Sequence, residues 1–357
     1  MRYKKLFGMI FLIVFLLNLE LFVIGQQKSS NEAYQAKKRK EWLRKVPLPK
    51  DAIELELKFS FPSEELVAKD IYLGSAWNIS NDSSGNIFVS DTKTKRVIKF
   101  DPSGNYLFQI GRKGQGPGEF SYGPFKIMLM KNFIVMNEYG RIQFFDKNGK
   151  YVKSFKIYKT YRDMVMSDDG LIFAAPSLSG NQSNLIDVLS QEGELLYSFG
   201  KPKEFKSMRA PLNTVKLALN NKKELFVAFE HFPIIRKYST HGELLNEFRI
   251  VHKAIKTQEE INESRISSLS KERTGYVIII SAIKAIGNRI YVLHTVPRVK
   301  IFEFDNNGQQ QSTYWYTRPY GYLVVDFIVS NKGFKKIFYI LQKSPDNKIE
   351  VFAPKTK

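Results

Sequence analysis

The chain has 357 residues, 43% hydrophobic and 14% aromatic, enough apolar material for a large core and too much for global disorder. It contains no cysteine, which excludes disulfides, thiol catalysis, Cys-ligated zinc and a lipidated N-terminal cysteine. The formal charge is +20, but residues 1–50 hold eleven Lys or Arg against three Glu; the remainder shows no dense basic stripe and no nucleic-acid motif, so a Lys-rich solvated surface is expected and nucleic acid is not.

The N-terminus reads as an export signal. MRYKK is a basic start, Leu6 to Leu17 an apolar core of 12 residues, and Val23-Ile24-Gly25 a small-residue site before Gln26. Asn18 and Glu20 interrupt the apolar run, which disfavours a membrane span; an uncleaved anchor over residues 6–24 is the alternative. Residues 26–50 are polar, basic and closed by two prolines, as in a linker. The expected location is therefore periplasmic or extracellular, with the folded domain over residues 51–357.

Ala52 to Phe61 alternates apolar residues as a strand does, and no partner follows it directly. A unit then recurs. Gly85 to Gly111 reads as strand, turn, strand ending Phe-Asp, Gly turn and strand; it returns at Asn132–Ile157, Gly170–Gly200, Glu224–Ile250 and Asn288–Tyr316, with a partial copy at Lys335–Phe352. Gly104, Gly149, Gly193, Gly242 and Gly308 mark the turns at spacings of 45, 44, 49 and 66, and a further apolar strand precedes each copy. Four strands in 40 to 50 residues is the period of a propeller blade. The last copy stops at its third strand, so Ala52–Phe61 is expected to supply its fourth and close the ring. The fold predicted is an all-β, six-bladed β-propeller of four-stranded blades with one short helical insert.

The stretch GNIFVSDTKTKRVIKFDPSGNYLFQIGRKGQGPGEF, Gly85 to Phe120, resembles an NHL repeat, and bacterial exported six-bladed propellers are the implied relatives. That resemblance implies a binding face on the rim formed by connections between blades and by the loops joining second to third strands. Arg112, Lys113, His231, His294 and Arg298 would lie there. Enzymatic members of such folds hydrolyse lactones or cleave peptide precursors with a divalent metal.

Several features need separate readings. GRKGQGPGEF matches neither G-x-G-x-x-G nor a P-loop, so its glycines read as a tight crossing, with Phe120 packed under the next blade. Asn78, Lys126, Asp163, Lys216, Ser281 and Asp326 share a place near the start of each inner strand and would ring the channel, either as a small-ligand site or as a hydrated ring in which Lys and Asp neutralise one another. Two carboxylates beside two lysines suit a dication poorly, and His231 with His294 lacks a third ligand, so no metal, cofactor or catalytic residue is assigned. Asp91 reads as the cap of a turn, with Asn137 in the corresponding place. Thr257-x-x-Glu260 reads as a capping box opening a helix in the insert over 252–276; that helix is either a lid or a tolerated insertion. The function expected is a non-catalytic binding or scaffolding propeller, monomeric, engaging a protein, peptide or glycan through its rim; the alternative is a metal-dependent lyase or lactonase at the channel mouth.

Overall fold

Each repeat folds as an antiparallel sheet because its apolar strands are separated by turns that local side chains close. In the first unit Ala76–Asn81, Ile87–Asp91, Arg96–Phe100 and Tyr106–Ile110 pair in chain order. Before the last strand, Asp101 accepts the Ser103 and Asn105 N–H groups at 2.8 and 2.9 Å, the local bonding that makes Asp a turn former. Asp146 and Asp305 repeat it in blades 2 and 5.

The computed structural model describes residues 52–177, 183–205, 210–267, 275–296, 298–317, 322–332, 335–344 and 346–356; the signal segment and linker read from the sequence lie outside them. It is a six-bladed propeller of four-stranded blades. The inner strands are Ala76–Asn81, Lys126–Leu129, Tyr161–Met166, Val215–Leu219, Ala282–Ile286 and Leu323–Lys332 for blades 1 to 6. Blade 6 is completed by Ile53–Phe61, antiparallel to Lys348–Pro354 with Leu55 opposite Pro354 and Phe61 opposite Ile349. The tip of the same strand pairs in parallel with blade 5 at Ile53–Tyr314 and Glu54–Trp315, so blades 5 and 6 merge into one eight-stranded sheet. The ring is thus closed by a strand from the opposite end of the chain, which covers an otherwise open edge.

Apolar clusters fill the junctions between neighbouring blades. Phe88, Ile127 and Phe145 belong to the cluster between blades 1 and 2; Phe226, Phe248 and Phe302 belong to that between blades 4 and 5. The turn glycines take part in this packing. Gly308 has φ +84°, and a Cβ there would sit 2.4 Å from the Phe248 ring of the preceding blade. Gly104 faces Phe61 of the closing strand in the same way, at 2.8 Å. The repeated glycine is therefore required twice, by a left-handed backbone and by an aromatic ring lying against it.

The glycine-rich connection runs from the outer strand of blade 1 to the inner strand of blade 2 and is closed on itself. The N–H groups of Gly114, Gly116 and Gly118 donate to Phe120 O, Glu119 Oε2 and Gln143 Oε1 at 3.2, 3.0 and 3.1 Å. Arg141 holds the loop from below through the carbonyls of Gln115, Gly116 and Glu119. Phe120 is fully buried against Phe145. The three glycine amides that a phosphate cradle would need are already committed within the loop and its neighbour.

The insert helix spans Lys253–Ser267 and so begins earlier than the capping box predicts. Its first turn is capped by His252, whose Nδ1 accepts the Ala254 N–H at 3.1 Å, while the Thr257 hydroxyl bonds back to Lys253 O. Burial and the nearby Lys300 push His252 down to about 4, which keeps the ring neutral and able to accept.

Candidate functional site: the channel mouth and an aromatic cleft on the rim

Inner strands begin at the rim and end at the opposite face, so the residue near each start faces the channel mouth. In blades 1, 3 and 6 the strand is bulged at that point: register shifts occur between Ala76 and Asn78, between Tyr161 and Asp163, and between Val324 and Asp326. A bulge re-aims side chains locally, and here it turns a polar group toward the next blade. Asn78 Oδ1 accepts Ile127 N at 2.9 Å, Asp163 Oδ2 accepts Leu217 N at 2.9 Å, and Asp326 Oδ2 accepts Ile79 N at 3.2 Å. These bonds strap blades 1 to 2, 3 to 4 and 6 to 1.

Lysines take the place in blades 2 and 4, which are not bulged. Lys126 meets Asp163 Oδ1 at 2.7 Å and Lys216 meets Glu230 Oε1 at 2.8 Å. In blade 5 Ser281 lines the channel mouth with the other five, as the sequence reading expects, and shares a hydrogen bond with Thr295 Oγ1 at 3.3 Å. By strand pairing, however, Ala282, opposite Leu293, stands level with Lys126 and Lys216. The charge comes from Lys284, two residues further in, which reaches Asp326 Oδ2 at 3.0 Å and Ile79 O at 3.2 Å. The polar residue of blade 5 thus stands one place earlier than Lys126 and Lys216 do in the other unbulged blades.

Electrostatics follow from burial and pairing. Burial alone would raise the pKa of Asp163, but Lys126 and Lys216 hold it below its ordinary value. Burial opposes charge on Lys216, and Glu230 and Asp163 overcome it and raise the pKa. Lys284 is lowered, chiefly by burial and also by Lys126, with Asp326 opposing. The mouth is a paired ring of ammonium and carboxylate groups.

The bulges have a second consequence. Two of their extra residues, Trp77 in blade 1 and Arg162 in blade 3, stand beside Phe125 of blade 2, and together these three line the channel mouth and an adjoining cleft of about 220 Å³. Tyr139 and Asn137 complete the aromatic and polar sides of that cleft, with Thr160 and Ser177 beyond. Trp77 packs edge-on against Phe125 at 6.0 Å, Phe125 against Tyr139 at 4.9 Å, and Tyr139 against Tyr122 at 5.4 Å. Trp77 and Tyr139 nevertheless remain 47% and 54% exposed. Lys343 lies over the Trp77 ring at 4.3 Å, a cation–π contact. Arg162 is exposed, donates from Nε to Ser177 Oγ at 3.3 Å, and forms no ion pair among the described residues.

The other rim residues predicted from the sequence do not gather at this cleft. Arg112 is exposed but bound to Glu119 at 2.9 Å, and Lys113, also exposed, forms a backbone bridge to Phe120. Arg298 stacks over Trp315 at 5.5 Å. His294 is fully buried and His231 is 9% exposed; their Nδ1 atoms bond to Ile279 O and Val277 O, in the segment leading into blade 5. The chain that follows the insert covers both rings, which corrects their placement on an open rim. Among the described residues no group of three His, Asp or Glu side chains is arranged to hold a metal ion. Asp91 caps its turn as expected, accepting from Ser75, Lys93 and Thr94. Its counterpart in blade 2 is Glu138, which accepts from Ser121 and Tyr122; Asn137 instead matches Ser90, each accepting an inner-strand N–H.

Residues 68–161 match the model of the family DUF5128, described as a 6-bladed beta-propeller. No curated protein matches the chain. Among solved structures the chain is similar to an exported protein of Bacteroides fragilis, at 14% identity, with 87% of this chain and 98% of that one covered and a TM-score of 0.58. A DUF4221 family member from Bacteroides vulgatus gives 11% identity, 86% and 98% coverage and a TM-score of 0.54. Virginiamycin B lyase from Staphylococcus aureus gives 14%, 85%, 94% and 0.47.

Proposed function

We propose that this chain is an exported, non-catalytic binding propeller that takes a glycan segment in the rim cleft between blades 1, 2 and 3. The observation that carries the reading is the cleft itself: Trp77 and Tyr139 keep ring surface in water, fixed by edge-on contact with Phe125, beside the Arg162 guanidinium, which forms no ion pair among the described residues. Exposed aromatic surface flanked by hydrogen-bonding groups marks a recognition site. Rings stack on the apolar face of a sugar, Asn137, Thr160 and Ser177 answer its hydroxyls, and Arg162 offers a two-pronged donor to a carboxylate. The paired charges of the channel ring support binding over metal chemistry, since each ring carboxylate already faces a lysine. The N-terminal basic and apolar segments support export.

The test is calorimetric titration of the folded chain with neutral oligosaccharides, uronic-acid oligosaccharides and short acidic peptides. Uronic-acid oligosaccharides should bind, and both Trp77→Ala and Arg162→Ala should weaken them about tenfold or more. Unchanged affinity in Trp77→Ala would remove the cleft from the model, and binding of peptides alone would replace the glycan with a peptide ligand.

A further inference from the structure

The aromatic row of the rim cleft has a cation on either side. Blades 6, 1, 2 and 3 follow one another around the closed ring, and Lys343, Trp77, Phe125 and Arg162 belong to them in that order. Lys343 owes its place to a further bulge. In blade 6 Leu323 pairs with Ser344 and Val324 with Gln342, so Lys343 is the extra residue of the second strand. As with Trp77 and Arg162, the bulge re-aims the side chain, and its ammonium comes to rest over the Trp77 ring of the next blade at 4.3 Å.

These two cations lack acids of their own. Lys343 is partly buried, burial lowers its pKa with no acid opposing, and it forms no ion pair among the described residues. Arg162 is in the same position. The other charges nearby are already committed: Lys159 on the cleft wall meets buried Asp187 at 2.8 Å, and Glu138 accepts from Arg141, Ser121 and Tyr122. At the channel mouth Asp163 and Asp326 face Lys126 and Lys284. The charge left over for a ligand is therefore positive, and it flanks the aromatic row.

We propose that Lys343 and Arg162 make the site selective for a polyuronide, a glycan with carboxylates on successive sugars, one carboxylate going to Arg162 and another to Lys343. This selectivity rests on the glycan reading of the cleft and names the class of glycan. Lys343 acts on both sides of the choice. A neutral sugar that stacks on Trp77 must displace the ammonium and loses its contact with the ring. A uronate draws the ammonium onto its own carboxylate, and a charge-assisted hydrogen bond replaces what was lost. Specificity is a difference of affinities, and the lysine lowers one while raising the other.

The experiment is calorimetry of the folded chain with tetragalacturonate and, in parallel, its methyl ester, which keeps the sugar body without the charge. The acid should bind about tenfold or more tightly than the ester. Lys343→Ala should weaken the acid and strengthen the ester, narrowing that preference about fivefold or more, and Lys343→Arg should restore it. A lysine that served packing alone would move both ligands in the same direction. If Lys343→Ala lowers the thermal unfolding temperature, Lys343→Gln keeps most of the stem and should narrow the preference likewise. Equal binding of acid and ester by the native chain, or a preference unchanged in a folded Lys343 variant, would overturn the proposal; weaker binding in Trp77→Ala would then still uphold the cleft. Binding of neither ligand at millimolar concentration would overturn both.

Discussion

Asn78 of blade 1 accepts the Ile127 N–H of blade 2 at 2.9 Å, and its amide nitrogen donates to Asp326 of blade 6 at 2.6 Å. One buried side chain thus ties three blades together. Asn78→Ala leaves the Ile127 N–H and one oxygen of Asp326 with fewer partners in a dry site, at a cost of about 2–4 kcal/mol. Chemical denaturation should show this as a lower midpoint. An unchanged midpoint would mean that apolar packing alone holds the ring.

Gly308→Ala places a methyl 2.4 Å from the Phe248 ring in a left-handed backbone. The expected loss is about 2–4 kcal/mol. Combining it with Phe248→Leu should recover less than the full loss, because relieving the clash does not remove the backbone strain. Full recovery would show that the positive φ costs nothing here.

Burial, followed by the nearby Lys300, pushes His294 down to about 3, and burial with Lys300 brings His252 to about 4. In the unfolded chain both titrate near 6.5, so between that value and about 4 the unfolded state binds more protons. Stability is fully present above about pH 6.5 and declines as the pH falls through this window. Urea midpoints measured from pH 7 to pH 4 should show the decline, and His294→Phe should flatten it.

Lys300 is 1% exposed and donates to Arg298 O at 3.4 Å, with no carboxylate partner among the described residues. Burial, with Arg298 adding to it, pushes its pKa down to about 7. A lowered lysine contributes full stability above its unfolded pKa near 10.5 and loses it as the pH falls toward 7. Lys300→Met should therefore raise stability at neutral pH by about 1–3 kcal/mol and remove the rise between pH 7 and 10. A destabilised variant at pH 7 would show that the ammonium has a role in the fold.

The closing strand makes a different kind of contribution. A chain begun at Ala52 should fold, whereas one begun at Pro62 lacks the outer strand of blade 6 and its parallel contact with blade 5. The shortened chain should aggregate or elute as oligomers through its bare edge. A stable monomer of native circular dichroism would show that closure is dispensable.

The repeats, the blade number, the turn glycines and the closing strand were legible in the sequence because each follows from local chemistry repeated at a fixed period. Phe-Asp before Gly makes the same turn wherever it occurs, and an incomplete last copy implies a strand taken from elsewhere. Asn78, Lys126, Asp163, Lys216 and Asp326 were legible as ring residues for the same reason. Tertiary structure decided what period could not. Strand pairing set Ala282 of blade 5 level with Lys126 and Lys216, beside Ser281, and left Lys284 to supply the charge. The chain after the insert covered His231 and His294, and the helix took its cap from His252. The rim cleft was invisible because Trp77, Phe125, Tyr139 and Arg162 come from three blades; only strand bulges and blade packing bring their side chains to one place.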